Sequence, residues 1–188
     1  MSNWIPFKRA ALALALAGSL PAWADPALTL TAAPDPAVVG SPLTLSVLIG
    51  SVVDLYAFQY SLAFNPALLQ ATGVTEGSFL SAGGSTFFGT GTIDNTLGII
   101  NFTFDTLVGA VPGVSGSGTL ANISFNAIAG GSSSLSFSNV AFYDSALAAI
   151  PVQATDRVLQ VSAVPEPAPL AMLALGLAVV GLARRRAG

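Results

Sequence analysis

The sequence predicts an all-β fold, a two-sheet sandwich of the jelly-roll type, over its central part, residues 25–164. Short runs in which large residues alternate with small or polar ones recur there, as in strands that cover a core with one face. Glycine, proline, serine and asparagine separate the runs, and no segment combines sustained 3.6-residue periodicity with helix caps. About eight strands in a domain of this size favour a sandwich.

The strands are predicted one by one from this alternation. The candidates are residues 27–32, 43–49, 55–64, 68–75, 98–104, 119–128, 134–142 and 157–163. In 55–64, the large residues that share one face are Tyr56, Phe58, Tyr60, Leu62 and Phe64. A strand with large residues on one face and small or polar residues on the other covers a core with the first face. We therefore expect these aromatic side chains to point inward.

The composition excludes most catalytic chemistry. The chain has no Cys and no His, and Arg157 is the single basic residue of the central part, which has a formal charge of −7. Serine–histidine and cysteine–histidine catalysis, thiolate or imidazole metal sites, disulfides and Schiff-base lysines are therefore excluded. One Arg cannot neutralise several phosphates, so no nucleic-acid partner is expected.

Two functions need only carboxylate or other oxygen groups and are therefore not excluded by the composition. They are catalysis by a pair of carboxylates and calcium binding. The acidic residues are scattered singly over turns and strand ends, and we predict no enzyme, no catalytic residue and no cofactor. Asp94, Asn95 and Asp144 could contribute to a calcium site, although no Asp-x-Asp loop is present. Calcium binding stays open, and no metal site is predicted.

The N-terminal segment, residues 1–24, has the pattern of a secretory signal peptide. Lys8 and Arg9 precede the apolar run 10–20, and small residues occupy the −3 and −1 positions, Ala22 and Ala24. We expect a signal helix that is used by the Sec machinery and cleaved after Ala24. The alternative is an uncleaved membrane anchor, for which the apolar run is short.

The C-terminal segment has three parts, a proline-rich linker at 162–169, an apolar helix at 170–183 and a basic tail at 184–188. The helix would reach only about 21 Å at 1.5 Å per residue, so by itself it suggests a short tail anchor. The residues that mark the three parts are Pro165, Glu166, Pro167, Arg184, Arg185 and Arg186.

This arrangement resembles the PEP-CTERM sorting signal of Gram-negative, exopolysaccharide-producing bacteria. The resemblance implies that Pro165, Glu166 and Pro167 are recognised by an exosortase, a membrane-embedded protease. It also implies export across the inner membrane, transient anchoring there, and a final place at the cell surface or in the extracellular matrix. The alternative is a plain tail anchor behind a proline linker.

The central part also resembles a known family, the bacterial cohesin domains. The segment 54–69 is similar to their aromatic-alternating strand and the turn that follows it, and 39–47 and 118–127 fit their spacing. The resemblance covers about 28–161 and implies a jelly roll of nine strands. It also implies that one outward sheet face binds a dockerin-like protein. The matching outward positions here are Ala57 and Gln59, and Asn65 stands where Asp is usual.

Two sets of residues are candidates for binding. The polar set for a protein-contact face is Gln59, Ser61, Asn122, Ser124 and Asn126, with ordinary solvated sheet residues as the alternative. The aromatic set for a glycan, in glycine-rich sequence, is Phe79, Phe87 and Phe88. The sequence therefore predicts a secreted or surface-associated binding or scaffold module of a biofilm. The alternatives are a carbohydrate-binding module and a matrix protein without a small ligand.

Overall fold

The computed structural model of the chain describes residues 24–163, and these form a two-layered β-sandwich. The elements in order are β1 (Ala27–Ala33), β2 (Ala37–Val38), β3 (Pro42–Ala63), β4 (Leu69–Glu76), α1 (Ser78–Ser81), β5 (Thr92–Asp94), β6 (Ile99–Thr106), β7 (Val114–Ala127), β8 (Gly131–Asp144), β9 (Gln153–Ala154) and β10 (Arg157–Ser162). The predicted all-β sandwich is confirmed. Residues 1–23 of the predicted signal helix lie outside the described residues, and so does the predicted C-terminal helix.

The long strand β3 belongs to both layers. Its first half pairs with β1 and β7, and its second half pairs with β6 and β8. The first sheet therefore has the order β9-β1-β3-β7-β4, and the second sheet has the order β5-β6-β3-β8-β10-β2. Two strands were expected from the sequence where the structure has this single one.

The change of sheet within β3 occurs at two residues with left-handed backbone. Ser51 and Asp54 have φ of 55° and 57°, and their N–H groups donate to Ser117 Oγ and Ser115 Oγ, both at 2.9 Å. These hydrogen bonds from β7 compensate for the ladder bonds that an irregular strand loses. Neither residue is a glycine, so the sequence gives no sign of a bend within one strand and suggests two separate strands instead.

The core lies between the two sheets and is built around aromatic residues of β3. Phe58 and Tyr60 are buried, as the alternation predicts, and Tyr60 lies 6.2 Å from Phe58 and 5.7 Å from Phe137, measured between ring centroids. Tyr56 is half-buried and its hydroxyl donates to the carbonyl of Gly109 at 2.6 Å. These contacts fix which side of β3 faces outward on the second sheet.

Candidate docking face

The outward side of the second sheet is a surface centred on β3. Ala57 lies beside Thr106 of β6 and Tyr143 of β8, and Gln59 lies beside Phe104 and Ala141 of the same two strands. Directly paired residues project to the same side of a sheet, so these six side chains share one surface. We call the outward side of β5, β6, β3 and β8, with the segment 85–89 that pairs with β6, the docking face.

An exposed aromatic cluster forms one side of the docking face. Phe87 is 62% exposed and Phe102 is 50% exposed, and their ring centroids lie 5.7 Å and 5.4 Å from that of Phe104. Tyr143, on the other side of Gln59, is 37% exposed. Aromatic side chains without neighbouring charge are typical of the centre of protein interfaces.

The segment 85–89 places Phe87 in this cluster by pairing with β6. The N–H of Phe87 donates to the carbonyl of Thr106 at 2.8 Å, and that of Gly89 donates to the carbonyl of Phe104 at 2.9 Å. A Cβ at position 89 would lie 2.1 Å from the ring of Phe104, so Gly89 lets the segment pass this ring without displacing it. The segment thus extends the docking face beyond β6.

Ser61 supports the docking face from beneath. It is buried, its hydroxyl donates to Asn101 Oδ1 at 2.9 Å, and it accepts the N–H of Phe102 at 3.1 Å. Phe102 has a φ of 59°, in a register shift between β3 and β6, and this bend turns its ring outward. The expectation that Ser61 contacts a partner is corrected, since the exposed side chains Asn101 and Asn139 cover it.

The predicted polar set divides between two opposite surfaces. Gln59 is half-buried in the docking face, whereas Asn122, Ser124 and Asn126 lie on the outward side of the first sheet. The reason is that β7 pairs with β4 and with the first half of β3. These residues therefore cannot form one contact surface with Gln59, which corrects that expectation.

The predicted glycan aromatics divide as well. Phe79 lies on α1 and is 8% exposed, because α1 packs on β7 with the Phe79 ring above Gly118. Phe88 is half-buried against the core, and Phe87 is left as the exposed ring of the three. The expectation that Phe79 offers a platform to a glycan is corrected.

The acidic residues that were considered for calcium accept hydrogen bonds from turns. Asp94 Oδ1 accepts the N–H groups of Thr96 and Leu97, and Asp144 Oδ1 accepts those of Ala146 and Ala148. Within residues 24–163, no three Asp or Glu residues lie close enough to hold a metal ion. Asn95 binds the backbone of Ala71 through both its amide atoms.

Asp54 and Arg157 hold loops in place. The hydroxyl of Ser145, and then the N–H of Gly113, keep the pKa of Asp54 below its usual value. Arg157 pairs with Asp35 and donates to the carbonyl of Leu30, which ties β10 to the loop after β1.

All but one of the predicted processing residues lie outside the described part of the chain. Ala22 and the marked residues of the C-terminal segment, Pro165–Pro167 and Arg184–Arg186, lie outside residues 24–163, and Ala24 is the first residue described. In the part of the chain that the structure describes, no helix is both long enough and apolar enough to cross a membrane.

Two family models match the chain. The model of the cohesin domain matches residues 28–161, and the model of the PEP-CTERM protein-sorting motif matches residues 163–187. Both resemblances seen in the sequence are thereby confirmed. No curated protein matches the chain.

Solved structures of cohesins share the fold. A non-cellulosomal cohesin from the archaeon Archaeoglobus fulgidus aligns with a TM-score of 0.59 and 17% identity, over 74% of this chain and 92% of that one. The second type II cohesin module of the ScaA scaffoldin of Acetivibrio cellulolyticus aligns with a TM-score of 0.63 and 14% identity, over 78% and 96%. A type I cohesin–dockerin complex of Clostridium thermocellum, Coh-OlpA-Doc918, gives 0.59 and 10%, over 74% and 100%. At these identities the likeness shows the fold.

Proposed function

Because the chain belongs to the cohesin domain family, we propose that it is an exported, non-enzymatic protein-binding module whose partner binds the docking face. The observation that carries this proposal is the distribution of exposed apolar side chains. Within residues 24–163, the exposed aromatic residues Phe87, Phe102 and Tyr143 all project from the docking face, whereas the exposed large apolar residues of the first sheet are aliphatic, Val53 at the bend of β3 and Ile128 directly after β7. An exposed apolar patch with polar surroundings marks a binding surface.

The partner we propose is a secreted protein with a dockerin-like module. Several of the similar solved structures are complexes of a cohesin with a dockerin, among them one from Acetivibrio cellulolyticus and one from Clostridium thermocellum. Gln59, in the middle of the docking face, can both donate and accept hydrogen bonds, and the small side chain of Ala57 leaves room beside it. The aromatic cluster then supplies the apolar contact area that anchors a partner.

Export and sorting follow from the two ends of the chain. We propose cleavage of residues 1–24 after translocation by Sec, and recognition of Pro165–Pro167 by an exosortase in the inner membrane of a Gram-negative bacterium. The released domain would then act at the cell surface or in an exopolysaccharide matrix, where it would hold its partner in the biofilm.

Capture of the partner with matched variants tests the proposed function. We expect Gln59→Arg to reduce capture of the secreted partner at least about 100-fold, because a long charged side chain at the centre of an interface is left without a counter-charge. Ser124→Arg adds the same charge to the outward side of the first sheet and should leave capture unchanged. A calcium chelator should release the partner if its binding module holds calcium.

The measurement is the amount of each secreted protein retained on the immobilised full chain and its two variants. The result supports binding at the docking face if a secreted protein is retained by the wild type and by Ser124→Arg but is lost from Gln59→Arg. Equal retention by both variants, or loss with Ser124→Arg alone, would reject it.

Carbohydrate binding is the second candidate function, and the exposed rings of Phe87 and Phe102 favour it. Sugar rings stack on exposed aromatic faces, and these two rings are more exposed than the other phenylalanines of the described residues. We expect Phe87→Ala to abolish retardation in polysaccharide-loaded affinity gels if this function holds. Leu97→Ala, at a turn outside the cluster and 75% exposed, is the matched control. If the wild-type chain migrates without retardation in every polysaccharide-loaded gel, carbohydrate binding is rejected.

A further inference from the structure

Two acidic side chains meet between the sheets behind the docking face. Asp105 points inward from β6, opposite Phe58 of β3, and is 1% exposed. Its Oδ1 accepts the N–H of Thr106 at 2.9 Å, whereas Oδ2 has no hydrogen-bond partner among the described residues. Glu76, the last residue of β4, approaches Asp105 from the first sheet. The first sheet thus presents one carboxyl group to a buried carboxyl group of the second.

The acid pair is connected to the aromatic cluster through one residue. The hydroxyl of Thr86 donates to Glu76 Oε1 at 2.7 Å, and Thr86 precedes Phe87 in the segment 85–89. Thr86 also forms a bridge with Leu107, two residues after Asp105. A force that separates Glu76 from Asp105 therefore acts on the Thr86–Glu76 hydrogen bond, which joins β4 to a segment that also pairs with β6 through backbone hydrogen bonds.

The charge state of the pair determines whether it attracts or repels. With one proton, Asp105 can donate a hydrogen bond to Glu76, and both carboxyl groups are satisfied. Without a proton, the two adjacent carboxylates, that of Asp105 buried and that of Glu76 half-buried, repel each other and lack a compensating cation within residues 24–163. Around Asp105, β4 contributes Glu76, the segment 85–89 contributes the Thr86 hydroxyl, and β3 contributes Phe58. Arg157, the basic residue of the described part, is bound to Asp35.

We propose that Glu76 and Asp105 form a proton-dependent switch that holds the segment 85–89, and with it Phe87, in the docking face at acidic pH and releases it at mildly alkaline pH. The inference rests on the proposed function only for its consequence, which is that partner binding weakens as the pH rises. The switch itself is a property of this chain alone.

The direction of the pH dependence follows from proton uptake. Burial, and then the negative charge of Glu76, raise the pKa of Asp105 from its usual value near 3.8 to about 7. The folded state therefore binds a proton more tightly than the unfolded state. The arrangement in which the segment 85–89 is held in the docking face loses stability as the pH rises from about 4 to about 7. Above that range both states are deprotonated and the loss is complete.

Hydrogen exchange of the full chain, read by mass spectrometry, tests the switch without any partner. After correction for the intrinsic exchange rate, we expect the amides of 85–89 to exchange at least about 10-fold faster at pH 8 than at pH 5. Asp105→Asn, whose amide can donate to Glu76 at both pH values, should remove this difference. Asp94→Asn changes an acid at a turn and should keep the wild-type response.

A second variant keeps the test decisive if Asp105→Asn does not fold. Glu76→Gln removes the charge that faces Asp105, so the midpoint of the exchange response should move to lower pH. Equal protection of wild type at pH 5 and pH 8, or an unmoved midpoint in Glu76→Gln, would overturn the switch. Protection that calcium restores at pH 8 would also overturn it, because the pair would then be a cation site.

Partner binding at the two pH values separates the switch from the proposed function. If capture by the wild type is weaker at pH 8 and Asp105→Asn restores it, the result supports both the switch and the proposed function. An exchange response without any change in capture supports the switch and rejects the role of Phe87 in docking. A change in capture without an exchange response rejects the switch.

Discussion

We expect Tyr60→Ala to lower the free energy of unfolding by about 3–5 kcal/mol, the range for removal of a large buried aromatic side chain. Tyr60 is fully buried in the second half of β3, and its ring lies between those of Phe58 and Phe137. Its removal leaves a cavity that strands paired on both sides cannot collapse to fill. Urea unfolding of the full chain, followed by circular dichroism, measures the loss.

Tyr60→Phe is the matched control for this prediction. The hydroxyl of Tyr60 is buried without a hydrogen-bond partner among the described residues, and burial raises the pKa of the phenol. Removing an unsatisfied buried hydroxyl while keeping the ring should leave stability unchanged or raise it by up to about 1 kcal/mol. A large loss in Tyr60→Phe would show that the hydroxyl, and not the ring, stabilises the core.

We expect Gly77→Ala to be as damaging, with a loss of about 3 kcal/mol or more, because overpacking that displaces backbone exceeds the usual range for side chains. Gly77 is buried between β4 and α1, and its N–H donates to the carbonyl of Leu120 at 2.8 Å. A Cβ there would lie 2.1 Å from the carbonyl oxygen of Thr119. Since the obstacle is backbone of β7, no side-chain rotation can relieve it.

Gly73→Ala is the matched substitution on β4. A Cβ at Gly73 would meet no atom within 4 Å, so we expect a change in stability of less than about 0.5 kcal/mol. Thermal unfolding of the two variants side by side provides the comparison. Equal melting temperatures would contradict the close packing of β4 and α1 on β7.

The fold was predictable from the sequence because alternation is a local signal. The pattern of large residues from Tyr56 to Phe64 identifies one face of β3 without any knowledge of its neighbours. Alternation also predicts that Gln59 and Ser124 face outward, and the structure agrees for both. It does not say which sheet each strand joins, and this is why residues of opposite surfaces were assigned to one candidate contact face.

The centre of the docking face and the acid pair were less accessible to sequence reasoning. Phe102 projects outward only because of a left-handed residue at a bulge, and Tyr143 belongs to a strand whose pairing with β3 is non-local. Asp105 points into the core, against the rule that acidic residues are solvated. Such exceptions require the packed structure, since nothing in the neighbouring sequence distinguishes a buried acid from an exposed one.

Site-specific photo-crosslinking tests most directly whether a protein partner binds the docking face. A photoreactive amino acid is placed at position 59 in one chain and at position 124 in another, and both are exposed to the secreted proteins of the native cells. We expect one protein, the same that Gln59→Arg fails to capture, to be crosslinked from position 59 and not from position 124. Crosslinking from position 124 alone, or equally from both positions, would contradict the account.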